Sequence, residues 1–352
     1  MPKFNNSATR NTLGDISVLY VAVMARAVRH EGVDGKDLFS QFKLSDQRLA
    51  SPDARISIPR FMRLGQAAIT LTGNSALGLT MGQLTRPVDA GLAGLAAQSA
   101  PTTAKALATL INYSLLTSRN SRGHPSLDVG ARRVDFYSIR PYNIFNYFVV
   151  DSVLAAWTQF LRDITGRFPV LSRVTLEYPS QGLDDQFEEW FGCPVSFNRK
   201  SNSLYVAEDV LNVSPLQAQP AMHRQLEESC AIALHRIQSG WQIQDRVRET
   251  LAPLLEGGAP PLEQVASELG TAPWTLQRQL AREQTGYRQL IDETRRGLAF
   301  DYIRDTRLAL AEVAYLLGFS NPAAFHKAYK RWFSLSPGEH RKALDASNNG
   351  TS

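Results

Sequence analysis

Two short stretches near the carboxyl end collect side chains suited to gripping a polyanion. In PWTLQRQLAR, Pro273 to Arg282, Leu276 and Leu280 mark the inward face of a helix and leave Trp274, Gln277, Arg278 and Arg282 free. In PAAFHKAYKRWF, Pro322 to Phe333, the inward positions are Phe325, Tyr329 and either Trp332 or Phe333. His326, Lys327, Lys330 and Arg331 fall on the other face, and Asn321 stands just before it. Amide, guanidinium, imidazole and ammonium groups in such rows do not break bonds. Their chemistry is hydrogen bonding and charge neutralisation along a phosphate-lined groove. Either row alone could be an ordinary solvated helix face, so the residues that position them decide between the two readings.

Ahead of the second row, Leu310, Val313, Ala314 and Leu317 recur at i, i+3, i+4 and i+7, the apolar stripe of a short amphipathic helix. Gly318 ends it, since a left-handed residue after the last turn is nearly free for glycine. Pro322 suits the first turn of the next helix, with Ser320 or Asn321 as its cap. The same stripe and stop stand earlier as Leu262, Val265, Ala266, Leu269 and Gly270, 48 residues upstream (262 to 310, 270 to 318). Pro273 then opens the first row. Between the repeats, Ile291 to Asp305 lacks proline and reads as a connecting helix. Two short helices around a tight turn, twice over, form two helix-turn-helix units at about 262–283 and 310–333. One chain could then place two recognition helices in successive major grooves, roughly 34 Å apart.

These residues resemble the tandem DNA-binding domain of the AraC/XylS transcription regulators. The resemblance runs through Ala299, Tyr302 and Ile303, then LALAEVAYLLGFSNPAAFHKAYKRWF, then Ser336, Pro337 and Arg341, and spans about Ile243 to Arg341. It implies that the outward positions of both second helices meet double-stranded promoter DNA. Gln277 would suit adenine through its amide, Arg278 guanine O6 and N7, and Trp274 a sugar or a thymine methyl. Arg282, Asn321, His326, Lys327, Lys330 and Arg331 would serve the groove and its flanking phosphates. Two departures bear on detail. Ala272 stands where a capping serine is common, a loss of about 1 kcal/mol. Pro322, Ala323 and Ala324 occupy positions that often carry base-reading groups, so sequence reading would lean on the first unit.

Composition agrees. The 352 residues suggest two domains, and 43% apolar with 20% charged residues is ordinary for a soluble globular chain. Leu276 to Lys342 holds 12 Lys or Arg against 7 Asp or Glu, while the remainder holds 26 of each (38 − 12 and 33 − 7). The whole net charge of +5 therefore falls where a polyanion would be met. Cys193 and Cys230 cannot form a disulfide framework or a four-cysteine zinc site, and they suit a reducing cytoplasm. None of the six histidines has metal-ligand spacing, and no phosphate loop, dinucleotide fingerprint or nucleophile elbow occurs, so no cofactor, metal or catalytic residue is expected. Gly91 and Gly94 read as close-packing positions. The start, MPKFNNSATRNTLGD, lacks the apolar core of a secretory signal, and Phe145 to Leu161 is too short and too polar to span a bilayer.

The first 210 residues mix helices (Asp15 to His30 with Asp15 as cap, Pro59 to Leu71, Pro101 to Leu116, Asn143 to Ile164) with strands at Ser126 to Val129, Val134 to Ile139 and Val174 to Tyr178. The expected fold class is thus an α+β N-terminal regulatory domain followed by an all-α C-terminal domain of two helix-turn-helix units joined by a linker helix. Gly91 to Leu107 and Phe187 to Val206 resemble the arabinose-binding-like effector and dimerisation region of one AraC branch. Tyr113, Phe136, Tyr137, Tyr142, Phe145 and Tyr147 could line a cavity, and Arg119 or Arg140 could meet a carboxylate. Nothing in their spacing singles them out, so the effector residues are unknown.

The expected organisation is an effector-binding and dimerisation domain at 15–210, an interdomain linker helix at 211–242, the DNA-binding domain at 243–342 and a disordered tail at 343–352. The function this implies is a cytoplasmic, ligand-responsive, sequence-specific transcription regulator, an activator and a homodimer, with RNA polymerase as partner and no membrane. Two other readings stand beside it. A DNA-repair alkyl-transfer enzyme can carry an AraC-like module but needs a reactive cysteine and a thiolate-rich zinc site, which two isolated cysteines do not supply. A ligand-insensitive DNA binder would show little sequence preference.

Overall fold

The computed structural model describes residues 13–42, 44, 54–239 and 242–349. The chain divides into two compact units. One comprises Asp15–Asn120 and His124–Gln238; the other is the chain from Ser239 on, with Leu13, Gly14 and Ser121–Gly123. No described helix is long and apolar enough to cross a membrane.

In the first unit a strand, β1 (Gly14–Ser17), leads into α1 (Val18–His30) and forms a three-stranded sheet with β2 (Arg55–Ser57) and β3 (Ser118–Asn120) in the order β2-β1-β3. The expected helix from Asp15 therefore begins three residues later. Ser17, not Asp15, caps it, its hydroxyl accepting the Leu19 N–H at 3.3 Å. Asp15 instead pairs with Arg55 across the sheet. The helices α2 (Lys36–Gln41), α3 (Ile58–Thr72), α4 (Leu77–Gln83), α5 (Gly91–Gln98) and α6 (Thr103–Asn112) follow. Thr102 caps α6 through the Lys105 N–H at 3.2 Å, and Gly94 packs against the carbonyl of Pro87, as a spacer position should.

A second sheet takes β4 (Ser126–Asp128), β5 (Arg133–Phe136), β6 (Leu171–Thr175), β7 (Val195–Ser196) and β8 (Asn202–Val206) in the order β4-β5-β8-β6-β7. Only β6–β7 is parallel among these pairs. Register aligns Leu127, Val134, Leu204, Val174 and Val195 in one row across all five strands, so a single apolar stripe faces the core. Long α7 (Tyr147–Thr165) contributes Val150, Leu154 and Leu161 to the same cluster, and α8 (Asp184–Phe191) adds Phe187 and Phe191.

The expected linker helix is α9 (Pro220–Ser239), and it does not stand free. Cys230 is buried against Ala93 and Ala96, the His223 Nδ1 lies 2.7 Å from the Ala96 carbonyl, and Glu227 accepts from Lys105 at 2.6 Å. Burial of one face thus makes α9 part of the N-terminal unit, while Gly240 and Trp241, within the expected linker, lie outside the described residues.

The second unit is all helix: α10 (Ile243–Leu254), α11 (Leu262–Glu268), α12 (Pro273–Arg282), α13 (Tyr287–Asp305), α14 (Leu310–Leu316), α15 (Pro322–Phe333) and α16 (Pro337–Asn349). Helix α16 corrects the expectation of a disordered tail from residue 343, since its backbone continues as helix through Asn349. Residues 350–352 lie outside the described residues.

Candidate nucleic-acid interface

In the first helix-turn-helix unit Leu276 and Leu280 are fully buried with Val265, Ala266, Val247, Leu251 and Leu290. That pair, one turn apart on α12, fixes the helix rotation. Trp274, Gln277, Arg278 and Arg282 are consequently exposed on its other side. Trp274 keeps 64% of its surface in solvent, which is exceptional for so large a ring. The Arg278 guanidinium lies over its face, 5.3 Å from the ring centroid, so the two side chains stand together on the exposed side of α12. Ala272 takes the extended cap conformation but offers no capping bond. The far end of α12 is better tied: Glu283 accepts the N–H groups of Ile243 and Gln244 at 2.8 and 3.0 Å.

The second unit repeats this plan with aromatic anchors. Phe325 and Tyr329 are fully buried, and the Tyr329 hydroxyl lies 3.0 Å from His340 Nδ1 on α16. Burial pushes that hydroxyl's pKa above the usual phenol range. Opposite them His326, Lys327, Lys330 and Arg331 are exposed. Gly270 and Gly318 both adopt positive φ, +64° and +67°, where the stripe ends. The two turns differ by one residue. Pro273 follows Gly270 by three positions and Pro322 follows Gly318 by four, so the inward pair shifts from a 48-residue to a 49-residue repeat (276 to 325, 280 to 329). The extra residue supplies the cap: Asn321 Oδ1 accepts the Ala324 N–H at 2.8 Å.

Two expected interface residues therefore have partners inside the protein. Asn321 spends its oxygen on the cap, and Arg331 is ion-paired with Asp292 of α13. Pattern reading missed Glu283, Asp292 and Arg295, because a charge reaching back to another helix leaves no mark on local periodicity.

In the N-terminal unit the aromatic candidates divide. Tyr147 stacks on Tyr178 (4.7 Å), Tyr142 tilts against Tyr178 (5.4 Å), and Phe136 meets Trp157 edge-on. Tyr178 donates to Asp151 of α7, whose carboxyl is pushed up to about 7 by burial, partly offset by that hydrogen bond. Glu177 accepts from Arg140, from the Tyr142 hydroxyl (2.6 Å) and from Asn202 Nδ2 (2.8 Å). Arg140 thus has a carboxylate within the protein. Burial raises both thiols to about 11, which suits inert cysteines rather than nucleophiles. No group of three or more possible metal ligands occurs among the described residues.

Two tandem helix-turn-helix units behind a separate α/β unit define a DNA-binding regulator. Residues 32–214 match the arabinose-binding domain of AraC transcription regulators, N-terminal, and residues 265–343 match a helix-turn-helix domain. The chain belongs to the AraC family of transcription regulators, with the arabinose-binding-like effector domain at its amino-terminal side. It is 28% identical over 328 residues to the ornithine utilization regulator of Pseudomonas aeruginosa, covering 93% of this chain and 96% of that one. It is 31% identical over 165 residues to the HTH-type transcriptional regulator VirS of Mycobacterium tuberculosis, 46% of each chain. The crystal structure of the transcriptional regulator CdpR from Pseudomonas aeruginosa aligns over 91% of this chain and 98% of that one, at 24% identity and a TM-score of 0.42. These relatives are regulators rather than enzymes.

Proposed function

We propose that the chain activates transcription by seating both helix-turn-helix units in successive major grooves of a promoter. In this reading Trp274, Gln277, Arg278 and Arg282 read bases and adjoining sugars, and His326, Lys327 and Lys330 meet the second groove and its phosphates. Residues 15–210 bind the effector and pair two copies, 211–242, with α9 docked on that unit, lead on to the DNA-binding residues 243–342, and these act beside RNA polymerase in the cytoplasm. The observation that carries this is the rotation of α12, whose buried Leu276 and Leu280 leave Gln277 and the Trp274 ring with Arg278 over its face turned to solvent.

The effector works by population shift. It binds one arrangement of the N-terminal domain more tightly, and the populations of DNA-competent forms move by that differential affinity and no more. Ornithine, from the name of the 28% identical relative, is the first molecule to assay. The test maps the bound promoter in cells, then titrates full-length protein onto that operator and onto random duplex, with and without ornithine. A regulator gives a preference of roughly 10³-fold or more for the operator. Near-equal binding to both duplexes would instead mark a DNA binder without sequence preference.

A further inference from the structure

Asp292 and Arg295 stand one turn apart on α13, and both reach into the second helix-turn-helix unit. Arg295 donates from Nε to the Leu317 carbonyl (2.7 Å) and from Nη2 to the Gly318 carbonyl (2.5 Å). These are carbonyls at the end of α14, where a helix leaves acceptors without intrahelical donors and its dipole is negative. The same guanidinium lies over Phe319, 4.7 Å from its centroid, and Phe319 is 6.1 Å from Trp332. Trp332 Nε1 donates to Asp292 Oδ2 at 2.9 Å, and the other Asp292 oxygen accepts from Arg331. The path returns to α13 where it began. One turn of the connecting helix thus holds the helix before the turn through Arg295 and the helix after it through Asp292. In the first unit, the position 48 residues before Arg295 is Val247, an apolar member of the buried cluster.

We infer that Asp292 and Arg295 are positioning residues for DNA binding, setting the angle at which α15 meets the duplex, and that Arg331 is a strut to Asp292 rather than a phosphate contact. This rests on α15 being the second recognition helix. A lone exposed ion pair would be a weak strut. Here the Trp332 indole fixes the same carboxylate, so Arg331 finds a preplaced acceptor. Were Arg331 to leave for a phosphate, Asp292 would face the polyanion with its charge uncompensated. Neutralising Asp292 is therefore worth more to the complex than one further phosphate contact.

The test uses full-length protein on its mapped operator. Affinity is measured across salt, with backbone-cleavage footprints of both half-sites, for Arg331→Ala, Asp292→Ala, Arg295→Lys and the exchanged pair Asp292→Arg with Arg331→Asp. Thermal unfolding of each variant reports folding separately. Arg331→Ala and Asp292→Ala should each weaken binding about threefold to fivefold with an unchanged salt slope, and protection should fade over the second half-site only. Arg295→Lys, which keeps the charge but not the fork, should show the same footprint change. The exchanged pair should recover binding to within about twofold of the parent, which a DNA-facing Asp at 331 could not do. A salt slope about one unit lower for Arg331→Ala, tighter binding by Asp292→Ala, or no recovery in the exchanged pair overturns the inference. Protection of a single half-site by the parent protein would instead remove the recognition-helix reading on which it rests.

Discussion

Glu283 closes the start of α10 from the end of α12: its two carboxylate oxygens accept the N–H groups of Ile243 and Gln244 at 2.8 and 3.0 Å. The first N–H groups of a helix have no intrahelical acceptor, and the helix dipole there favours an anion, so one side chain both caps α10 and anchors the recognition helix that carries it. Glu283→Ala should lower the stability of the C-terminal domain by about 1–2 kcal/mol, read from chemical denaturation followed by helix signal. Glu283→Gln, with one oxygen left to accept, should recover part of that loss.

The two turn glycines look equivalent in the sequence and are not equivalent in space. Both have positive φ, so alanine at either is strained. A Cβ on Gly270 meets nothing within 4 Å, whereas one on Gly318 would lie 2.3 Å from the Leu255 carbonyl oxygen and 2.8 Å from the Gly258 carbonyl carbon. Gly270→Ala should cost about 1 kcal/mol. Gly318→Ala must also push backbone aside and should cost roughly 3 kcal/mol or more. Equal losses in parallel denaturation curves would show that the close approach at Gly318 carries no weight.

That contrast marks where sequence reading stops. Stripe, glycine stop and proline start repeat along the chain, so both helix-turn-helix units were legible from periodicity and turn chemistry. The faces followed too, since Leu276 and Leu280, or Phe325 and Tyr329, can be inward only if their neighbours are outward. Apolar alternation does not mark the central strand β8, because Asn202 and Ser203 are polar though fully buried. Ser203 donates to Asp135 and Asn202 to Glu177, so their burial depends on partners far along the chain. Helical periodicity runs back through Asp15 without a break, and only pairing with β2 makes Gly14–Ser17 a strand. The effector site left no motif at all.

In the proposed mode of binding, Arg278 reads a base and Lys330 holds the backbone. Arg278→Ala should lower affinity for the correct operator by on the order of 1–3 kcal/mol and relax preference at one base pair. Lys330→Ala should weaken all duplexes alike and lower the salt slope by about one unit. Binding titrations on operator, single-base variants and random duplex over a range of salt separate the two. Indistinguishable behaviour of the two variants would remove the distinction.

Asp151 gives the N-terminal unit a pH dependence whose sign follows from its burial. The carboxyl is pushed from 3.8 to about 7, first by burial and in the opposite sense by the Tyr178 hydroxyl. The folded state therefore favours the protonated acid, and between pH 4 and 7 it holds a proton that the unfolded chain has released. Stability from this group is fully present below about pH 4 and is lost as pH rises through about 7. The full loss is on the order of 4 kcal/mol. Asp151→Asn keeps an oxygen to accept from Tyr178 and removes the titration. The variant should flatten the fall in unfolding temperature between pH 4 and 7 and exceed the parent at pH 8, where the parent must bury a charge. A variant whose unfolding temperature follows the parent's at every pH would mean that Asp151 is ionised without cost, through water or a counter-charge at its second oxygen.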